Sequence, residues 1–208
     1  MACLNRAHAT SDRISAAQLD RARRAADHAH AIGRDFTHQL VVHWTHADGS
    51  GKVQDRYARL QVCARHWLER RGEPLVSLWS VEPDRIGTGW HTHTLLHLPR
   101  GLVRDFANML PRWTSTEPLE IATARWDGKK PPKGSVACGG YAESPWSPVW
   151  LLQRRYDDSE RLLEYVLKAS QRHNRGRVIG KRVGYSHAIS PSAWKQLPSV
   201  NQQAAERG

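Results

Sequence analysis

The stretch Gly89-Trp90-His91-Thr92-His93-Thr94-Leu95-Leu96-His97-Leu98-Pro99 constrains the fold more than any other part of the chain. Trp90 to Leu98 reads as a strand, and a strand sends successive side chains to opposite faces. Leu75 to Val81 reads as the strand before it, and the turn Pro83 to Gly89 joins the two as a hairpin. Upstream, Phe36 to Trp44 is rich in β-branched and aromatic residues and ends at the turn Asp48-Gly49-Ser50-Gly51. Val53 to Arg71 has helical spacing, with Tyr57, Leu60, Ala64, Trp67 and Leu68 near one face and Gly72 placed to cap its end. Downstream, Pro99-Arg100-Gly101 opens a helix over roughly Leu102 to Trp113, and Leu119 to Trp126 is a fourth strand. Asp157-Asp158-Ser159 caps a further helix that runs to about Gln171.

The order is β-α-β-β-α-β followed by a helix. It predicts an α+β fold: a central antiparallel sheet of about five strands, ferredoxin-like or RRM-like, flanked by helices. Residues 1–33 read as an N-terminal helix or arm, with a helix over Ser15 to Ile32 closed by Gly33. Residues 34–190 form the main domain and 191–208 a C-terminal tail. The linker Asp127 to Pro148, with Lys129, Lys130, Lys133 and several Gly and Pro, reads as a loop.

A chain of 208 residues accommodates one such domain with appended arms. With 39% hydrophobic residues and nine Trp, full disorder is excluded. No apolar run approaches the roughly 18 residues needed to span a bilayer, and the first residues lack the apolar core of a signal peptide. Cys3, Cys63 and Cys138 are odd in number and widely spaced, which fits reduced thiols. A cytoplasmic protein with no membrane partner is the expectation. The net charge of +11 points to a polyanionic partner, with nucleic acid ahead of an acidic membrane.

His91 and His93 project from one strand face about 7 Å apart at the backbone, so their imidazoles can converge on one ion. Glu82 ends the preceding strand and lies beside them across the hairpin. Two His and one carboxylate bind a divalent ion and leave positions open for substrate and water. The plain alternative is a set of satisfied histidines on a sheet face. His97 shares that face, further along.

On a helical wheel of about 100° per residue, Arg161, Tyr165, Lys168 and Arg172 form one narrow stripe. Leu162, Leu163, Val166 and Leu167 lie opposite, so Tyr165 stands outside the face that packs the helix. A phenol has a pKa near 10, so a nucleophilic Tyr needs nearby positive charge or a base. Lys168, one turn on, is placed to supply that charge. A solvated basic face that happens to include a Tyr is the bland alternative.

A hairpin bearing Glu82 and His91-Thr92-His93, then Tyr165-Val166-Leu167-Lys168 on a helix about seventy residues later, resembles the HUH endonucleases. Within them it is similar to the single-tyrosine rolling-circle replication initiators (Rep proteins) of plasmids and small phages. Phe36-Thr37-His38-Gln39-Leu40 resembles their first, weaker motif, and Gly180-Lys181-Arg182-Val183-Gly184-Tyr185-Ser186 is also similar to plasmid Rep sequences. The likeness spans roughly Asp35 to Ser190. One departure is Thr92, where the family usually carries a bulky hydrophobe, and no Walker A sequence is present for a fused helicase.

The resemblance implies that His91, His93 and Glu82 hold Mg²⁺ or Mn²⁺, and that Tyr165 attacks the scissile phosphate of single-stranded or hairpin origin DNA. The products it implies are a 5′-phosphotyrosine and a free 3′-OH, with Lys168 stabilising charge. A host helicase and polymerase are the further partners it implies. Arg172, Arg175, Arg177, Lys181 and Arg182 form a run without an acidic residue that is suited to a phosphate backbone, as are Lys129, Lys130 and Arg161. Trp90 or Trp146 and Trp150 are candidates to stack unpaired bases, whereas Trp67 and Trp79 read as core. Rival readings are an HUH transposase or mobilisation relaxase, a zinc-dependent hydrolase on the same ligands, and a non-catalytic nucleic-acid-binding module.

Overall fold

The computed structural model describes residues 10–44, 50–83, 90–114, 123–125, 149–153, 159–168 and 178–194. Its elements in chain order are β1 (Thr10–Ser11), α1 (Ala16–Ala31), β2 (His38–Trp44), α2 (Ser50–Glu69), β3 (Ser77–Pro83) and β4 (Trp90–Leu96). They continue with α3 (Val103–Thr114), β5 (Thr123–Arg125), β6 (Val149–Gln153), α4 (Ser159–Val166), β7 (Val178–Ile179), β8 (Val183–Tyr185) and α5 (Pro191–Trp194). Among the described residues no helix is long and apolar enough to cross a membrane.

Local chemistry sets the element ends. Ser15 and Gln18 form a reciprocal capping box: Gln18 N donates to Ser15 Oγ, and Ser15 N donates to Gln18 Oε1 at 2.8 Å. Two donors at the start of α1 are satisfied in this way. Gly72 takes a φ of 75° just beyond α2, a left-handed conformation that costs a residue without Cβ little.

The fold is α+β, as the element order predicts, but the sheet differs from the simple pattern. Among the described residues it has six strands in the order β5-β6-β2-β4-β3-β8, and β1 pairs with β7 in a separate ribbon. The expected β-α-β-β-α-β core is β2-α2-β3-β4-α3-β5. The extra strand β6 is inserted between β5 and β2, antiparallel to β2 and parallel to β5. Five antiparallel strands is thus corrected to six with one parallel pair. The run Val149-Trp150-Leu151-Leu152 is apolar on both faces, and without alternation it carries too weak a strand signal to stand out after the loop.

The sheet is covered on both sides. Leu40, Val42, Trp44, Trp79, Val81 and Leu96 pack beneath α2 and α3, with Tyr57, Leu60, Trp67, Phe106 and Leu110 completing that core. Trp67 and Trp79 are buried there, as their spacing suggests. On the other face, Leu78, Leu95 and Val183 meet Ala22, Ala25 and Ala29 of α1 and Val166 at the end of α4. The small alanines let α1 lie close against the sheet, so the helix expected in residues 1–33 belongs to the same packed body. The helix expected to reach Gln171 ends as α4 at Val166; residues 169–177 lie outside the described set.

Candidate metal centre and tyrosine

Register brings the candidate ligands together. In the β3–β4 hairpin Glu82 pairs with His91 and Ser80 with His93. Alternation then puts Glu82, His91 and His93 on the face shared with α1 and α4, whereas Thr92 points the other way. Thr92 is fully buried and its Oγ1 accepts from Trp44 Nε1 at 3.2 Å, so a polar residue at this position is satisfied behind the site.

Glu82 Oε2 lies 3.4 Å from His91 Nε2 and 3.7 Å from His93 Nε2. One ligand atom from each of the three residues falls within 4.8 Å of the others, a group able to hold a metal ion. Glu82 and His93 are buried. The other carboxylate oxygen, Oε1, and His91 Nδ1 are buried without a hydrogen-bond partner. Lys168 already sets a positive charge 3.0 Å from Oε2, but the buried, unmatched Oε1 and the two imidazoles are ordinary donors for a divalent ion. The residues therefore fit the metal that the sequence implies.

Helix α4 brings the tyrosine to the same place. Ser80 Oγ donates to the Val166 carbonyl at 2.6 Å, pinning the last turn of α4 onto β3 beside the trio. The Tyr165 ring meets the His93 ring edge to face, with centroids 5.1 Å apart. Tyr165 is 47% exposed while Val166 is buried, which agrees with the wheel that sets the phenol apart from the packed stripe. Lys168 connects the groups: its Nζ is 3.0 Å from Glu82 Oε2, 3.3 Å from His93 Nε2 and 4.2 Å from the Tyr165 ring centroid.

Two residues on β2 complete the site: Gln39, from the stretch that resembles the first motif but with no role assigned there, and His43, which the sequence does not single out. Gln39 Nε2 and His93 Nδ1 are 3.3 Å apart, a buried contact that orients the imidazole. His43 pairs with His91 across the sheet and its ring stacks on it, with centroids 5.4 Å apart and planes 27° off parallel. Alternation puts Gln39 and His43 on one strand face, but only the β2–β4 register identifies which residues they meet. His97 stays out of the centre: its Nδ1 contacts the Asp35 carbonyl at 2.8 Å and its Nε2 faces Arg34.

The expected DNA-contacting residues divide. Lys181 is exposed, its Nζ 5.7 Å from the Trp79 ring and 5.5 Å from the Tyr185 ring. Arg182 is corrected: its side chain is fully buried and NH1 donates to the Ser11 carbonyl, so it does not track a phosphate backbone at the surface. Burial lowers its pKa, opposed by the negative charges of Glu82 and Asp12. Trp90 is partly buried against the α2–α3 core, on the sheet face away from the trio. Arg161 lies in α4, and the side chains of Arg161 and Trp150 are not among those described. Lys129, Lys130, Trp146, Arg172, Arg175 and Arg177 lie outside the described residues.

Compared with family models, curated proteins and solved structures, the chain matches none.

Proposed function

We propose that the protein is a metal-dependent single-stranded DNA nickase and strand transferase in which Tyr165 is the nucleophile. The observation that carries this reading is the half-exposed Tyr165 ring seated on His93, with the Lys168 ammonium between the phenol and Glu82. Tyr57, buried in the core beneath α2, has a different setting, where burial raises its pKa.

His91, His93 and Glu82 would hold Mg²⁺ or Mn²⁺. When bound, the ion supplies Lewis-acid polarisation of a phosphate oxygen. Tyr165 stands beside His93, and its exposure leaves room for a phosphodiester beside the ring. The phenolic oxygen forms the new bond to phosphorus, the bond to the 3′ oxygen breaks, and the leaving oxygen takes up a proton to become a 3′-OH. The phosphotyrosine ester conserves the bond, so a second 3′-OH can reverse the step without ATP. Lys168, 4.2 Å from the Tyr165 ring centroid, supplies positive charge that can meet the phosphate. Ser80 and Gln39 act on geometry, one fixing the end of α4 and the other the His93 ring. Initiation of rolling-circle replication is the role that the likeness to Rep proteins implies for this chemistry, and a transposase or relaxase would use the same residues.

The test is a denaturation-resistant adduct between the protein and labelled single-stranded DNA in the presence of Mn²⁺. The wild type forms it; Tyr165→Phe does not, and neither does the wild type with chelator. An adduct of equal yield in the Phe variant would remove Tyr165 as nucleophile.

A further inference from the structure

The cation seat described above already has an occupant. Lys168 Nζ lies 3.0 Å from Glu82 Oε2 and 3.3 Å from His93 Nε2, atoms of two of the three candidate metal ligands. We infer that Lys168 is a built-in substitute for the metal, which a divalent ion must displace, and that its displacement also releases Tyr165. The inference rests on the metal reading of Glu82, His91 and His93.

An ion bound through Glu82 Oε2 and His93 Nε2 cannot share the seat with the ammonium. An ion held about 2.1 Å from both Glu82 Oε2 and His93 Nε2 lies on a circle around the line joining them. That line is 3.7 Å long. From the two Lys168 distances, the ammonium is about 1.6 Å from the ion if both take the same side, and at most about 3.5 Å if they take opposite sides. Like charges that close repel strongly even with the screening of a protein interior.

Lys168 has a route out of the seat. It lies two residues beyond the end of α4 at Val166, so a swing of its side chain leaves that helix in place. Its ammonium sits on a flexible four-carbon stem, and its side chain is 21% exposed, giving it a path to solvent. The same Nζ rests over the Tyr165 ring, so the lysine clasps phenol and carboxylate together. Once expelled, the ammonium is free to meet an incoming phosphate, and the phenol loses the cation on its face. The site would thereby couple metal arrival to release of the nucleophile.

The experiment uses the full chain as wild type, Lys168→Met and Lys168→Gln. Mn²⁺ affinity is read from the electron paramagnetic resonance signal of the free ion, and melting temperature is read with and without saturating Mn²⁺. Both variants are expected to bind Mn²⁺ about tenfold more tightly than wild type, the size of one lost charge-assisted competitor. Without metal they melt below wild type, because Glu82 has lost its counter-ion, and saturating Mn²⁺ closes the gap. A variant that folds only when Mn²⁺ is added is the extreme form of the same result. Folded variants that bind Mn²⁺ no more tightly than wild type overturn the inference. No binding by any of the three chains removes the metal reading itself, and this inference with it.

Discussion

His38 gives the fold a defined sensitivity to acid. It lies on β2 with its ring buried, and Thr37 Oγ1 is 2.8 Å from its Nδ1. Thr37 directs its own proton to the Leu98 carbonyl at 3.2 Å, so the hydroxyl oxygen accepts from His38 Nδ1–H. That tautomer leaves Nε2 unprotonated, and Nε2 is buried without a partner. A second proton would meet no acceptor in an apolar setting. Burial, with a smaller contribution from His97, lowers the His38 pKa to about 4. An unfolded histidine titrates near 6.5, so between those values the unfolded chain takes up a proton that the native chain refuses. The contribution is fully present above pH 6.5, is lost as pH falls through the window, and levels off below about pH 4. The linkage amounts to roughly 3 kcal/mol between pH 7 and pH 4. Urea unfolding of wild type and His38→Phe across this range isolates it, because the remaining groups titrate in both proteins. The stability difference between the two should move by roughly 3 kcal/mol in favour of the variant as pH drops. A difference that shifts by less than about 1 kcal/mol would refute the assignment of a neutral, proton-refusing His38.

Two further outcomes follow from contacts in the sheet. For His93 to ligate through Nε2, its Nδ1 must carry the proton, and Gln39 must turn its amide oxygen toward it. Gln39→Leu should then lower Mn²⁺ affinity about tenfold or more with little change in folding, read by calorimetric titration and circular dichroism. Gly184 lies against the Trp79 ring: a Cβ there would sit 2.6 Å from Cζ2 and 2.8 Å from Cε2. Gly184→Ala should cost about 1–3 kcal/mol in denaturant unfolding, since an indole wedged in the core yields little.

Much of the site was legible because it is built on short-range rules. Period-two alternation alone puts His91 and His93 on one face, and a hairpin of the observed length brings Glu82 opposite His91. The helical wheel separates Tyr165 from Val166 for the same reason. What escaped depends on contacts between distant segments. Gln39 and His43 become partners of His93 and His91 only through the register of β2 on β4. The position of β6 between β5 and β2 likewise has no local signal. Arg182 was misjudged because a run of basic residues looks alike whether it faces solvent or threads inward, and its carbonyl is in fact held by Val81 N at 2.8 Å. Trp90 alternates to the face opposite the histidines, which the strand pattern already contained.

The strand order also bears on how the chain is made. A nascent polypeptide that has reached Thr114 carries Glu82, His91 and His93 on β3 and β4, with β2 alongside. The flanks of that three-stranded piece are closed only by β6 and β8, from the last third of the chain. Until they emerge, two rows of backbone donors and acceptors stand open as templates for another polypeptide. The portion that carries the candidate metal ligands is therefore the portion most exposed to mispairing while translation is still under way.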